Sequence, residues 1–460
     1  MKETFTLNAD CFVLPYEEKG ANTFIAYFPL QSLIFEINRD AANILNSIKE
    51  KPYSGNDQTT KKFLKDLVSL NVINRKKEAQ PYVPFDAAPT SNNTMLLLTE
   101  KCMLSCLYCY KAAKEHGKLM SIRVAKAAID TIIENAKKQN RGFIDLGYHG
   151  GGEPTINWKV LTESFYYAKE CCASENLYLK TNICTNGVMS KKKAIWIIEN
   201  IQNIIFSIDG PPDIQNKQRP FQNGKESFDK VASTIDLFNQ FKKTYGIRIT
   251  ATEFSNGRLC DILQFIINRF HPPVICIEPL FVCGRCETSG CLPPDEDQFI
   301  SEMKEATILG AKTNTPIQYS GNRISYLQSR FCGAQGSNFF ITPWGDVTAC
   351  LEVSSRHEPR ADFFIYGKFN PEKNKFDYDK DKYHRLAHCQ VQNLESCKDC
   401  FAKWHCSGDC IAKTPDFTRV TKERNLYRCK INKALIKDTL IKTMNNQIGY
   451  SMNKTVIKSN

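Results

Sequence analysis

No stretch of this chain approaches the roughly 18 consecutive apolar residues that a membrane span needs; charges break the longest apolar runs within about ten residues. The chain also lacks an apolar opening segment, since residues 1–10 are polar and mixed, and a reducing, cytoplasmic setting is therefore expected. Concentrated basic charge is missing too. The formal net charge is +12, but the lysines are scattered, with only short runs such as Lys191-Lys192-Lys193. A diffusely basic surface argues against a nucleic-acid partner, and metal-bound thiolates would lower the charge further. What the chain has in quantity is cysteine, 20 in 460 residues. In a reducing compartment, cysteines at short spacings read as metal ligands rather than bridges. The length suggests about three domains, each able to bury a core.

The densest motif is Glu100-Lys101-Cys102-Met103-Leu104-Ser105-Cys106-Leu107-Tyr108-Cys109-Tyr110, three thiols spaced C-x3-C-x2-C directly after the apolar run Met95 to Leu98. A zinc site built from protein ligands alone takes four donors, whereas a [4Fe–4S] cluster on three cysteines keeps one iron open. Three ordinary buried thiols are the plainer alternative. The short spacing, which puts all three sulfurs on one loop, argues against it. With Tyr108 before its last cysteine, the motif resembles the signature of the radical S-adenosylmethionine (SAM) superfamily. The resemblance implies that Cys102, Cys106 and Cys109 hold a cluster whose open iron binds SAM, with Tyr108 among the cofactor contacts.

Before this motif, residues 1–78 read as a small α+β module: strands Thr23–Phe28 and Ser32–Ile37, helices Arg39–Lys49 and Thr59–Ser69, and a short return strand Val72–Ile73. Asn38 or Asp40 can cap the first helix. This order resembles the winged-helix peptide-recognition element fused to enzymes that modify ribosomally made peptides, where a leader peptide adds a strand to the sheet edge. A plain docking domain is the other reading. Residues 79–93, with Pro81, Pro84 and Pro89, read as a linker.

From Thr94 strands and helices alternate through six βα steps, ending with strand Val274–Leu280. Apolar strands joined by helices imply a parallel sheet, and the resemblance makes this a partial (β/α)6 TIM-like barrel over 94–290. Ligands of such folds sit at the carboxyl ends of the strands. The motifs fall there: His149-Gly150-Gly151-Gly152-Glu153-Pro154, Thr185-Asn186-Gly187, and Ser207-Ile208-Asp209-Gly210. By resemblance, Gly151, Gly152 and Glu153 contact the SAM amino group and Asn186 lines the pocket. Ser207, Asp209 and Arg219 are candidates for hydrogen bonds to its ribose and carboxylate. An ordinary surface ion pair explains Arg219 equally well. Cys283, Cys286 and Cys291 read as a further metal loop or as bystander thiols.

The last third carries Cys332, Cys350, then Cys397-x2-Cys400-x5-Cys406-x3-Cys410, and Cys429. Two close cysteine pairs also suit a zinc ribbon. The intervals resemble the SPASM extension of radical SAM maturases, expected over 291–440 with a tail at 441–460. That resemblance implies two auxiliary [4Fe–4S] clusters, three clusters in all. Cys397, Cys400, Cys406 and Cys429 would hold one; Cys332, Cys350 and Cys410 would hold the other, leaving an iron open unless Cys389 or the Cys283–Cys291 loop fills it.

The resemblance as a whole implies a peptide maturase. SAM cleavage yields a 5′-deoxyadenosyl radical, which abstracts hydrogen from a ribosomally made precursor peptide and leads to a crosslink such as a thioether. A flavodoxin or ferredoxin would supply electrons, with no nucleic-acid or membrane partner. The runner-up is an anaerobic sulfatase-maturase that makes formylglycine; those enzymes carry aspartate after the cysteine matching Cys350, where this chain has Leu351 and Glu352. A zinc-binding peptide scaffold without catalysis is the alternative from another class.

Overall fold

The computed structural model describes residues 4–7, 10–74, 89–111, 116–414, 426–445 and 453–454. Residues 79–88 of the expected linker and most of the expected 441–460 tail lie outside these.

The N-terminal module is an antiparallel sheet of β1 (Phe12–Pro15), β2 (Thr23–Phe28) and β3 (Leu33–Asn38), followed by α1 (Arg39–Glu50) and α2 (Gln58–Ser69). Asn38 is the cap of α1, its side chain accepting the Ala41 N–H at 2.9 Å, and Asp57 caps α2 in the same way. The helices bury Ala42, Leu45, Leu64 and Leu67 against one face of the sheet. The expected return strand Val72–Ile73 is reduced to an isolated bridge between Leu7 and Ile73. Asn71 and Asn74 take left-handed φ of 61° and 58° on either side, which turns the chain twice and leaves no room for a ladder. The outer edge of β3 pairs in parallel with Asn453–Lys454 from the far end of the chain.

The larger sheet has eleven strands. Its centre is the expected run of six parallel strands in sequence order: β4 (Asn93–Leu97), β5 (Phe143–His149), β6 (Tyr178–Thr185), β7 (Asn203–Ser207), β8 (Gly246–Ala251) and β9 (Ile275–Pro279). Between them run α3 (Ile122–Lys138), α4 (Trp158–Ser174), α5 (Lys191–Asn200), then α6 (Pro212–Gln218) with α7 (Phe228–Gln240), and α8 (Leu259–Phe270). Ser121 and Ser190 cap α3 and α5 by accepting from Val124 and Lys193. Apolar stripes such as Ala125, Ala128, Ile129 and Ile132 of α3 pack on Leu96, Ile144 and Leu146. The short α6 has no counterpart in the periodicity, because seven residues hold too few turns to show one.

The cysteine-rich part extends this same sheet. β10 (Ile317–Gln318) is parallel to β9, and β11 (Phe340–Ile341) is parallel to β4; β12 (Asp346–Thr348), β13 (Ile365–Asn370) and β14 (Lys375–Tyr378) continue antiparallel beyond it. A C-terminal helix, Leu426–Met444, packs its Ile436, Leu440 and Ile441 against the second face of the N-terminal sheet at Tyr16, Tyr27 and Ile34. Among the described residues no helix is long and apolar enough to cross a membrane.

Candidate active site

The chain leaves β4 directly into the three-cysteine loop, which is pinned from two sides. The Ser105 and Leu107 amides donate to the carbonyls of Pro220 and Gln218, at 2.7 and 2.9 Å, and Gln222 N–H donates to Met103 O. On the other side the Arg285 amide donates to Cys109 O and its guanidinium to Cys106 O at 3.0 Å. Gly284 makes this approach possible. Its φ is +64°, and a Cβ there would stand 2.6 Å from Cys109 O and against Tyr110 O.

The three sulfurs end at one cavity of about 550 Å3, within the usual range for a ligand site. The donor set fits an iron–sulfur group: Cys102 Sγ accepts from the Leu104 amide at 3.4 Å and from Asn186 Nδ2 at 3.6 Å, contacts that favour a thiolate. Burial pushes the Cys102 thiol up to about 12 and Cys106 to about 11, Cys106 being held back by Arg219. A bound cation would reverse this by stabilising the deprotonated sulfurs.

Gly151, Gly152 and Glu153 reach the same cavity from the end of β5. The turn is clamped on the cysteine loop, with Gly152 N–H donating to Thr99 O and Glu153 N–H to Lys101 O; a Cβ on Gly152 would run into that Lys101 carbonyl. Glu153 is 2% exposed and its carboxylate is fully engaged. One oxygen accepts from Thr155 N, Thr155 Oγ1 and Thr185 Oγ1, the other from Asn186 N at 2.8 Å. Burial raises its pKa despite these bonds. Glu153 thus joins the ends of β5 and β6 and orients Asn186.

Ser207 and Arg219 line the cavity, and Asp209 stands behind it. Tyr108 Oη donates to Asp209 Oδ2 at 2.5 Å and accepts from Arg219 Nη1 at 2.6 Å, while Asp209 Oδ1 accepts from Thr250 N. Asp209 is therefore a support for Tyr108 within the cysteine loop. Arg219 is 7% exposed, which removes the surface ion pair as its explanation. Its Nε is buried without a hydrogen-bond partner and remains for a bound anion.

The far wall of the cavity is C-terminal. Cys332, Cys350 and Cys410 line it together with Cys283, Glu352 and Lys413. Glu352 is held by Arg360 at 3.3 Å and Lys413 at 3.8 Å. Cys389 is packed elsewhere, its Sγ 3.3 Å from Arg385 O. Cys286 turns back on the Cys283 carbonyl, buried beside Cys291. The other expected group is gathered away from the cavity. Cys397 packs with Leu30 and Trp404, and Cys400 and Cys406 pack against the second face of the N-terminal sheet. Cys406 accepts from Asn432 Nδ2 at 3.2 Å and feels the charges of Cys429 and Cys397.

Sequence reasoning missed several cavity residues: Tyr110, His149, Cys184, Arg248 and Glu278. All but Arg248, which lies in the middle of β8, sit at or beside the carboxyl end of a parallel strand or the cysteine loop, and that position was the available signal.

A parallel α/β sheet whose strand ends and C-terminal extension close thiols around one cavity defines a cofactor-dependent α/β enzyme. The comparisons specify it. Residues 96–265 match the radical SAM superfamily, so the chain carries a radical SAM domain over those residues, and it is an enzyme. Over 332 residues it is 22% identical to the cysteine-type anaerobic sulfatase-maturating enzyme of Clostridium perfringens, covering 67% of this chain and 85% of that one. The Clostridium novyi enzyme of the same description is 24% identical over 211 residues, 45% of this chain and 56% of that one. Among solved structures, anSMEcpe with bound AdoMet and Cp18Cys peptide shares the fold at a TM-score of 0.59 and 18% identity, covering 77% of this chain and 99% of that one. Streptococcus suis SuiB bound to S-adenosylmethionine gives a TM-score of 0.52 at 15% identity, covering 84% and 86%.

Proposed function

We propose that the protein is a radical SAM peptide maturase that abstracts hydrogen from a ribosomally made precursor peptide and closes a crosslink, a thioether, to one of its cysteines. The observation that carries this reading is the single cavity whose near wall is the three-cysteine loop with its glycine turn and whose far wall is Cys332, Cys350 and Cys410. In this reading Cys102, Cys106 and Cys109 hold a [4Fe–4S] cluster, and the auxiliary sets hold two more. Bound together, cluster and SAM supply a 5′-deoxyadenosyl radical; the protein supplies orientation and exclusion of water. Gly151 and Gly152 offer backbone to the SAM amino group, Ser207 and Arg219 take its polar groups, and Tyr108, braced by Asp209, sets the loop. The N-terminal module binds the leader, a cytoplasmic flavodoxin or ferredoxin delivers electrons, and the open far wall presents a peptide sulfur near the site of abstraction, where proximity replaces a bimolecular encounter.

A second reading, sulfatase maturation to formylglycine, is favoured by the Clostridium perfringens relative and by the Glu352 carboxylate in the cavity. The test is anaerobic. Reconstituted protein is assayed for iron and for 5′-deoxyadenosine with dithionite and SAM, then given either a leader-bearing cysteine peptide or a sulfatase-type cysteine peptide. A mass loss of about 2 Da on the first with a new C–S bond supports the maturase, and an aldehyde on the second supports the alternative. Stoichiometric zinc without iron or SAM cleavage would sink both.

A further inference from the structure

β5 and β6 are parallel neighbours with Tyr148 opposite Ile183, so the next residues, His149 and Cys184, stand side by side near the carboxyl ends of the two strands. Both face the cavity; Cys184 belongs to no cysteine motif, and His149 immediately precedes the three glycines of the turn. His149 Nδ1 lies 2.9 Å from Gly150 O. A carbonyl only accepts, so Nδ1 carries the proton and Nε2 is the nitrogen left to interact with the neighbouring Cys184. Arg248 of β8 reaches the same space and makes no ion pair among the described residues; its charge acts on Cys184. The other titratable groups facing Cys184 are Glu153, Tyr110 and Cys276, while Glu278 and Glu352 face Arg248. Burial would raise the Cys184 thiol, but His149 and Arg248 outweigh it and hold the sulfur below its ordinary value. Burial would likewise lower His149, and Cys184 reverses that.

We propose that Cys184 and His149 form the proton-accepting pair of the cavity, serving a cysteine thiol of the peptide substrate. The substrate half rests on the maturase reading. After hydrogen abstraction, joining the carbon radical to a peptide thiol breaks the S–H bond, forms the C–S bond, and releases one electron and one proton. The electron goes to a one-electron acceptor of the iron–sulfur class, and the proton goes to Cys184 Sγ, which His149 holds ready. A thiolate base matches the acidity of a thiol and lies far from that of an alcohol, so the pair selects cysteine over serine at the modified position.

Two measurements on the reconstituted holoenzyme test this. In anaerobic iodoacetamide labelling without SAM, followed by peptide mapping, Cys184 at pH 7 reacts about tenfold faster in the wild type than in His149→Gln, and the variant catches up as pH rises, because only the thiolate is nucleophilic. Equal rates at every pH overturn the pair. In turnover, peptide product per deoxyadenosine falls about a hundredfold in Cys184→Ala, with iron per chain as the check on assembly. An unchanged ratio overturns the proton role. A wild-type protein that makes no deoxyadenosine overturns the maturase reading and the substrate half with it, while the labelling decides the pair by itself.

Discussion

Cys332, Cys350 and Cys410 look into the cavity beside Glu352 and Lys413, whereas Cys397, Cys400 and Cys406 are packed among Leu30, Phe12, Tyr16 and the C-terminal helix. The first group is set among charges and open space, the second among apolar side chains that also form the floor of the N-terminal sheet. Thiols from the last third of the chain are thus divided between a cavity wall and a structural junction. A metal group bound at the junction becomes part of the folding energy of two modules, while one bound at the cavity wall can meet substrate.

The sharpest break comes from the near wall. Changing Cys102, Cys106 and Cys109 together to Ala should abolish deoxyadenosine formation and lower iron from about twelve to about eight per chain. Next, Cys406→Ala and Cys350→Ala should each cost about four irons, but thermal unfolding should separate them: the junction variant should lose about 3 kcal/mol and the cavity variant about 1 kcal/mol or less. Equal losses would erase the distinction between the two groups. Gly284→Ala should cost about 1–3 kcal/mol and slow deoxyadenosine formation, because it forces a Cβ onto the cysteine loop at a left-handed position. Gly290→Ala, at φ +70° with nothing within 4 Å of its Cβ, should cost only about 1 kcal/mol and leave the rate alone. A stability loss of similar size is expected from Tyr108→Phe. It strips Asp209 and Arg219 of a shared partner, for about 1 kcal/mol in a thermal melt.

Much of this was legible in the chain. The six βα steps show because apolar stripes of period 3.6 and two-sided apolar strands repeat. The thiol groups show because spacing alone puts sulfurs on one loop. Pairings created by register do not show: His149 and Cys184 are 35 residues apart and meet only because β5 and β6 run in parallel. Nor do the partners of a side chain. Asp209, expected to bond SAM, spends its oxygens on Tyr108 and Thr250, and Glu153 spends its own on Thr155, Thr185 and Asn186. The choice between Cys283 and Cys389 as a fourth donor was also open in one dimension; in three, only Cys283 of the two lines the cavity.

The junction of β4 with β11 carries a further consequence. Only two residue pairs make it, Phe340 with Met95 and Ile341 with Leu96, yet β4 launches the first thiol loop while β11 and β12 carry the chain between Cys332 and Cys350. A slip of one residue would slide one thiol set past the other by about 3.3 Å and reverse the faces of Phe340 and Ile341, both buried. The ladder therefore acts as a caliper. Loops around the cavity can lengthen or shorten to admit different ligands, and the gap between the two sets of sulfurs stays the same.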